Sequence, residues 1–397
     1  MILPRLLFRA MTRVSPRNLY NAWRLWLVPG FAALRKFRER QAKGEFFPPF
    51  FFIALTDACN LQCRGCWISS QGKPRQLTVE DVTSFINSAK TQGNRFFILL
   101  GGEPFLYKDL VTIFDTNPDC YFQIITNGTL ISEESVQQIA RTGNATLLIS
   151  VDGFQPANDF RRGEGVFEQV VHGMKLLREH RVLFGIATTL TSTNWEDVLS
   201  RDFVRWADSQ GAIYLWYYIY RPVGPTPTPE LALSREQIAL VRRNLLTLRR
   251  ESPIILIDTY WDAAGRAVCP AAAGLGYHIG PAGDIELCPP LSFATATIRD
   301  NNGDLSQTIQ QNSLLRDFRR FVHAHTRGCV ILEHPQELIQ FLRNHGARDT
   351  SGRDAYHELS QLQPRPSHHL HEAEIPEDTW LYRWLKKNLF FGLAAYG

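Results

Sequence analysis

Six short apolar runs, at residues 51–56, 96–100, 121–126, 146–151, 183–190 and 213–219, alternate with helix-patterned stretches at 78–91, 108–116, 133–141, 166–179, 195–209 and 234–250. Each run is apolar at nearly every position, as expected of a strand buried on both faces of a parallel sheet. Parallel neighbours need long crossovers, and the intervening helices supply them. The chain is therefore expected to be an α/β protein built on a partial, TIM-like (β/α)6 barrel. Many folds share that beat, so the chemistry has to be read from the loops after the strands, where such barrels carry it.

The loop after the first run holds Cys59, Cys63 and Cys66, spaced C-x3-C-x2-C. A structural zinc site closes with four protein ligands, and no suitable fourth follows within reach. A cubane iron-sulfur cluster can instead be held through three irons, leaving the fourth open to a small molecule. A zinc-binding or redox-inert loop is the alternative reading of the spacing. After the second run comes Gly101-Gly102-Glu103-Pro104, where glycines let backbone approach a ligand and Glu103 can neutralise an ammonium. Thr126 and Asn127 end the third run, and Ser150 and Asp152 the fourth. In the sixth, Tyr214, Trp216, Tyr218 and Tyr220 share one face at a period of two. That face is either an aromatic wall of the lumen or a surface covered by helices. Arg221 follows as a candidate anchor for a substrate or cofactor.

With these loops in place the sequence resembles the radical S-adenosylmethionine (SAM) enzymes, on the three-cysteine spacing after strand one, GGEP after strand two and Asp159-Phe160-Arg161-Arg162-Gly163. One departure is Gly65 where the family often has an aromatic residue, with Trp67 just after the third cysteine instead. The resemblance implies a [4Fe-4S] cluster on Cys59, Cys63 and Cys66, with SAM bound at its open iron. It implies that Gly101, Gly102 and Glu103 meet the SAM amino group and that Arg162, rather than Arg161, pairs with its carboxylate. Thr126, Asn127, Ser150 and Asp152 would face SAM, and Thr188 falls in the stretch 185–188 that packs on adenine. The implied reaction is reductive cleavage to a 5′-deoxyadenosyl radical, which takes hydrogen from a substrate, with a reduced flavodoxin or ferredoxin-type electron donor. No catalytic acid or base is identified.

Further on, Cys269-Pro270 and Cys288-Pro289 bracket a hairpin at 277–287 turning at Pro281-Ala282-Gly283-Asp284, and Cys329 follows. This resembles the SPASM or Twitch domains that hold auxiliary iron-sulfur clusters. Only Cys269, Cys288 and Cys329 are evident as ligands. The fourth could be Cys120, His278, Asp284, His334 or no protein residue, and buried structural cysteines are the alternative.

Of the 397 residues, 44% are apolar, enough for real cores, and no run of 18 apolar residues could span a membrane. Seven cysteines, three of them clustered, fit a reducing compartment and a metal better than disulfides, and no cleavable signal is seen, so a cytoplasmic location is expected. Residues 1–44 carry a net charge of +9, leaving −5 for the rest, so nucleic-acid binding by the main body is not suggested. Arg5, Arg9, Arg13 and Arg17 recur every four residues beside Ile2, Leu3, Leu6, Leu7, Ala10 and Met11, and Trp23 and Trp26 follow. Trp380, Leu381, Trp384, Leu385 and Leu389 repeat the pattern in an expected helix at 378–391. Such basic amphipathic ends either lie on a membrane surface or dock on the barrel; an organelle transit peptide is a further reading of the first. The histidines at 368, 369 and 371 read as a solvated loop. Domains are expected at 1–48, 49–252, 253–346 and 347–397. A lipid or other membrane-proximal substrate is expected, with maturation of a ribosomal peptide or protein, or a non-catalytic iron-sulfur carrier, as alternatives.

Overall fold

A computed structural model describes residues 2–68, 73–371 and 373–388. The chain opens with three helices, α1 (Ile2–Arg13), α2 (Pro16–Asn21) and α3 (Val28–Ala42), the last two joined by a π-helical turn at Ala22–Leu27. The expected alternation follows: β1 (Phe50–Thr56), α4 (Val79–Thr91), β2 (Phe96–Gly101), α5 (Leu110–Thr116), β3 (Tyr121–Thr126), α6 (Glu133–Thr142), β4 (Ala145–Ser150), α7 (Gln155–Arg162), α8 (Val166–Glu179), β5 (Phe184–Leu190), α9 (Trp195–Val198), α10 (Arg201–Gln210), β6 (Tyr214–Ile219) and α11 (Arg235–Glu251). The single helix expected at 195–209 is two, because Ser200 caps a new start: its Oγ accepts from the amide of Phe203 at 3.1 Å. Helix α7 was not expected from apolar periodicity; Pro156 in its first turn was the available signal.

The sheet continues past residue 252. β7 (Ile255–Asp258) pairs parallel with β6, and β8 (Gly276–Ile279) pairs parallel with β1 and antiparallel with β9 (Ile285–Glu286). The order is β7-β6-β5-β4-β3-β2-β1-β8-β9. The hairpin expected at 277–287 is thus annexed to the open edge of the barrel beside the strand that carries the first three cysteines. The remainder is β10 (Phe293–Ala294), α12 (Leu305–Gln311), α13 (Ser313–His325), α14 (Val330–Glu333), α15 (Pro335–Asn344), β11 (Arg348–Asp349), α16 (Ala355–Ser360) and α17 (Trp380–Asn388).

Side chains alternate across this sheet. Phe51, Ile53, Leu55, Phe97, Leu99, Phe122 and Ile124 pack outward under the helices. Phe50, Phe96, Ile98, Tyr121, Leu148, Tyr214 and Trp216 point inward and form a second cluster with Val14, Leu25 and Phe37 of the N-terminal helices and Leu381, Tyr382 and Leu385 of α17. Trp26 stacks on Tyr121 at 5.6 Å and on Phe96 at 5.7 Å. Both chain ends therefore close the lower end of the barrel. The side chains of Ile2, Leu3 and Arg5, and the expected helical residues Leu389 to Phe391, lie outside the described residues.

The docking of α1 turns its arginines inward. Arg9 and Arg13 both pair with Asp208 of α10, at 2.7 and 2.6 Å, so Leu7, Phe8 and Met11 face solvent. Phe8 and Met11 are each 68% exposed, Trp23 54% and Trp380 67%. The histidine loop also departs from expectation. His368 is buried, its ring bonded to the carbonyl of Val268 at 2.9 Å and its own carbonyl accepting from Trp261 Nε1.

Five buried charges lock the last helix in place. Arg249 of α11 donates to Asp258 at 2.6 Å and to Glu377 at 2.7 Å; Arg242 reaches Glu377 at 3.3 Å, and Lys386 of α17 donates to Asp258 at 3.0 Å. Burial pushes the Asp258 carboxyl up, but Lys386, Arg249 and Arg242 together hold it far below the usual carboxylate range. A depressed folded value means that this contribution is complete above the unfolded pKa of about 3.9 and is lost as acid approaches the folded one. Removing one partner strands a buried charge. Glu377→Gln is therefore expected to cost about 3–5 kcal/mol in urea unfolding at pH 7, while Glu374→Gln, at an exposed neighbouring site, leaves the midpoint unchanged.

Candidate active site

The cysteine loop is laid on the backbone of the neighbouring strand. Gly102 N donates to Thr56 O and Glu103 N to Ala58 O, both at 2.7 Å. A Cβ at Gly102 would stand 2.0 Å from the Ala58 carbonyl oxygen, and one at Gly101 2.1 Å from that of Thr56. Only glycine allows this approach. At Gly65, with φ +66°, a Cβ would meet Tyr220 Oη at 2.1 Å. The departure from an aromatic residue there thus has a packing cause, since the ring of Tyr220 occupies the space. On the far side the amide of Arg64 donates to the carbonyl of Arg161 at 2.8 Å.

Glu103 is fully buried and knits β2 to β3. Its carboxylate accepts from Phe105 N at 3.0 Å, Thr126 Oγ1 at 2.7 Å and Asn127 N at 2.7 Å. Burial nonetheless raises its pKa, against the pull of those donors. Asn127 Nδ2 donates to Asn60 Oδ1 at 2.9 Å and lies 3.9 Å from Cys59 Sγ. The three thiols are electrostatic neighbours. Burial, then Cys63, raises Cys66; burial first, with Glu103 and the other two thiols adding to it, pushes Cys59 up to about 11. Without a cation beside them Cys59 and Cys66 stay protonated at neutral pH.

Opposite this loop, Asp152 stands at zero exposure beyond β4 with both arginines of α7 upon it. Arg161 Nη1 donates to Oδ2, Arg162 Nε lies 2.7 Å from the same oxygen, and Thr189 N donates to Oδ1 at 2.7 Å. Burial alone would raise the carboxyl, but Arg161 and Arg162 hold it below its ordinary value. Two guanidiniums on one carboxylate leave one positive charge over, and the Nε atoms of both arginines are buried without a well-formed hydrogen bond. Ser150, half-buried, ends β4 on the inward face. Thr188 stands apart from these groups, fully buried with its hydroxyl spent on the Val151 carbonyl at 2.8 Å. Gly185, in the stretch expected to pack on adenine, is instead covered by the ring of Tyr214.

The aromatic face of β6 does line the lumen: Tyr214, Trp216 and Tyr218 pack with the inward cluster, and Trp216 stacks on Tyr218 at 5.5 Å. Gln123 Nε2 donates to Tyr214 Oη at 2.8 Å, while Gln123 Oε1 and Trp216 Nε1 are buried without partners. One pairing escaped the sequence reading, in which His278 stood only as a possible cluster ligand. His278 of β8 lies directly across from Glu286 of β9, its Nδ1 2.5 Å from that carboxylate. His278 Nε2 is buried and unpartnered, and the ring meets Trp67 edge-on beside a cavity bounded by Thr56, Asp57 and Arg75. Facing positions of a hairpin were the signal that could have paired it with Glu286.

Cys269, Cys288 and Cys329 also come together. Burial first, then their mutual repulsion, raises Cys269 to about 11 and Cys288 further, and the Arg221 guanidinium at the end of β6 opposes both shifts. Arg221 lies over the ring of Tyr260 at 5.5 Å. Cys120 is buried at the start of β3 among the outward core, and Asp284 pairs with Arg348.

Comparison with known proteins places this arrangement in context. Residues 53–202 match the Radical SAM superfamily. The chain is 31% identical over 176 residues to an AdoMet-dependent heme synthase of Methanosarcina barkeri, covering 43% of this chain and 50% of that one. It is 30% identical over 163 residues to the sporulation killing factor maturation protein SkfB of Bacillus subtilis, covering 39% and 38%. It spans about half the length of the curated relatives it matches, or less. Among solved structures, Streptococcus suis SuiB bound to S-adenosylmethionine superposes with a TM-score of 0.62 at 18% identity, covering 75% of this chain and 73% of that one. At that identity the likeness is one of fold. Gly102→Ala is expected to drive the Ala58 carbonyl off β2 and lower the iron after anaerobic reconstitution toward, but not below, half the wild-type amount, with an unchanged far-ultraviolet circular dichroism spectrum.

Proposed function

Since residues 53–202 match the Radical SAM superfamily, we propose that the chain reductively cleaves S-adenosylmethionine and uses the resulting radical to take hydrogen from a bulky apolar substrate. The observation that carries this reading is the convergence, at one end of the barrel, of three unpaired thiols, the buried Glu103 and the Asp152–Arg161–Arg162 group. The residues fit the cofactor: three thiols free of disulfides share one loop, and two of them, Cys59 and Cys66, are too basic to ionise alone and call for a metal to hold them as thiolates. A [4Fe-4S] cluster on Cys59, Cys63 and Cys66 supplies an open iron for SAM and, once reduced by a flavodoxin or ferredoxin-type donor, the electron that yields methionine and a 5′-deoxyadenosyl radical.

The chain's own groups orient and protect. Glu103, next to the Gly101–Gly102 backbone, would meet the SAM amino group, and Arg162 would offer the uncompensated charge of its pair with Asp152 to the carboxylate. Asn127 bridges Asn60, and so the cysteine loop, to the end of β3. The wall of Tyr214, Trp216 and Tyr218 keeps the site dry and offers rings to an apolar substrate. His278, oriented by Glu286, is placed to accept a proton when a substrate is oxidised. Cys269, Cys288 and Cys329, beside Arg221, would hold an auxiliary cluster in a SPASM- or Twitch-like region spanning 253–346, and such a cluster would supply an acceptor for one electron.

A membrane-proximal substrate is supported by the lower end of the barrel, where Leu7, Phe8, Met11, Trp23, Trp380 and Trp384 are exposed beside Arg17, Arg24, Arg35 and Arg38. No helix among the described residues is long and apolar enough to cross a membrane, so attachment would be peripheral. Peptide maturation is the second reading, favoured by the likeness in fold to SuiB, which has also been solved bound to its precursor peptide SuiA. A plain iron-sulfur carrier has no use for Glu103 and the arginine pair.

Anaerobic reconstitution is expected to give about eight irons per chain, falling to about four in Cys59→Ala/Cys63→Ala/Cys66→Ala, with SAM and dithionite releasing 5′-deoxyadenosine only from the wild type. Iron without SAM cleavage, in folded protein, would return the chain to the carriers. The wild type is expected to sediment with phosphatidylglycerol vesicles at low salt. Phe8→Ser/Met11→Ser/Trp384→Ser should stay in the supernatant with its melting temperature unchanged; equal sedimentation of both proteins would remove the membrane face.

A further inference from the structure

Behind the auxiliary cysteines, Glu333 at the end of α14 meets two histidines that come from the irregular stretch leading to α17. One ligand atom each from Glu333, His369 and His371 lies within 4.8 Å of the others. The imidazole rings of His369 and His371 are 3.7 Å apart between centroids, and His369 Nδ1 is 4.0 Å from Glu333 Oε2. The spacing explains the geometry. In an extended stretch, residues two apart share a face and the one between or beside them takes the other. His368 accordingly turns into the core against Val268, while His369 and His371 face outward together.

The carboxylate is held by neighbours rather than left loose. Thr326 Oγ1 donates to Glu333 Oε2 and lies 3.2 Å from His369 Nδ1, and Ser367 Oγ donates to Glu333 Oε1 at 2.5 Å. Ser367 Oγ also accepts from the amide of Cys329 at 3.0 Å. Hydroxyl donors on a carboxylate ligand are the usual outer shell of a metal site, fixing the ligand's orientation. Among the described residues neither lysine nor arginine forms an ion pair with Glu333, whose one titratable neighbour at ion-pair distance is His369, so the two imidazoles and the carboxylate present one negative charge and three donor atoms to a single point.

We propose that Glu333, His369 and His371 bind a divalent transition-metal ion of the zinc class, which clasps the segment 361–379 to α14. The donor set of two imidazoles, one carboxylate and a water is a common one for zinc. Tetrahedral zinc at 2.0–2.2 Å needs donor atoms about 3.4 Å apart, so the three close by about 1 Å around the ion and displace the Thr326 hydroxyl from His369. The described residues of that segment, 361–371 and 373–379, form no helix or strand. They nevertheless include Ser367, on which the Cys329 amide rests, and Glu377 of the buried charge group. The ion would thus steady a cysteine and the last helix together. This site stands whether or not the radical reading is right, because none of its ligands belongs to either cysteine set.

The test uses the full chain with its iron-sulfur groups reconstituted, dialysed with one equivalent of zinc sulfate and then against metal-free buffer. About one zinc per chain is expected by elemental analysis, with an X-ray absorption first shell of nitrogen and oxygen at about 2.0–2.1 Å and no sulfur at 2.3 Å. His369→Ala and His371→Ala should each lose at least 80% of that zinc while keeping the wild-type iron and sulfide content. In the wild type alone, zinc should slow proteolytic cleavage between 361 and 379 several-fold. A sulfur shell, or zinc retained at the wild-type level in His369→Ala/His371→Ala with iron unchanged, would overturn the proposal.

Discussion

Everything at the upper end of the barrel depends on how closely two backbones approach. The tops of β1 and β2 are bonded to one another through Thr56, Ala58, Gly102 and Glu103, at a separation where a single methyl group would overlap a carbonyl oxygen. That contact sets the height of the cysteine loop relative to Glu103. Glu103 in turn fixes the start of the loop after β3, and Asn127 hands the register back to Asn60, next to Cys59. The site is thus a closed circuit of backbone and carboxamide bonds that ties the cysteine loop to β2 and to the end of β3. Ties of this kind spare a binding step the cost of ordering a loop.

The two ends of the sheet solve opposite problems. Above, buried polar groups are collected and mostly satisfied, with excess positive charge near α7 and unpaired donors and acceptors in the lumen. Below, the lumen is stoppered by aromatic rings from Trp26, Tyr121 and Phe96, supplied in part by helices foreign to the barrel repeat. Part of the stopper is amphipathic in an inverted sense, since α1 spends Arg9 and Arg13 on Asp208 and leaves Leu7, Phe8 and Met11 outside, with Leu6 buried. A helix that only needed to plug a core would do the reverse.

Much of this was legible in the sequence. The six runs and their crossover helices were placed to within a residue or two, because strands buried on both faces leave an unbroken apolar signature. The cysteine spacing, GGEP and the inward aromatic face of β6 could be read for the same reason: each is local. Non-local facts were not legible. Nothing in the run ILID said that β7 would extend the sheet, nor in GYHI that β8 would join β1 rather than form a separate hairpin domain. The partnership of His278 with Glu286, and the turning of His368 into the core, follow from pairings that only the folded chain creates. Thr188 is a further case, since its strand position could be read from the sequence but its hydroxyl's bond to the Val151 carbonyl could not.

The buried charges between α11, β7 and α17 also bear on how the protein is made. Residues 50–258 contain the whole parallel sheet except its β8 edge, yet Arg242, Arg249 and Asp258 wait for Glu377 and Lys386, more than 110 residues downstream. On the ribosome the barrel is therefore complete in strands long before it is complete in charge, and its last seam stays hydrated until almost the whole chain has emerged. A truncated or stalled product would carry an intact cysteine loop on a barrel with an open flank. Cellular proteases that sample such openings would in effect inspect the far end of the chain to judge the soundness of its middle.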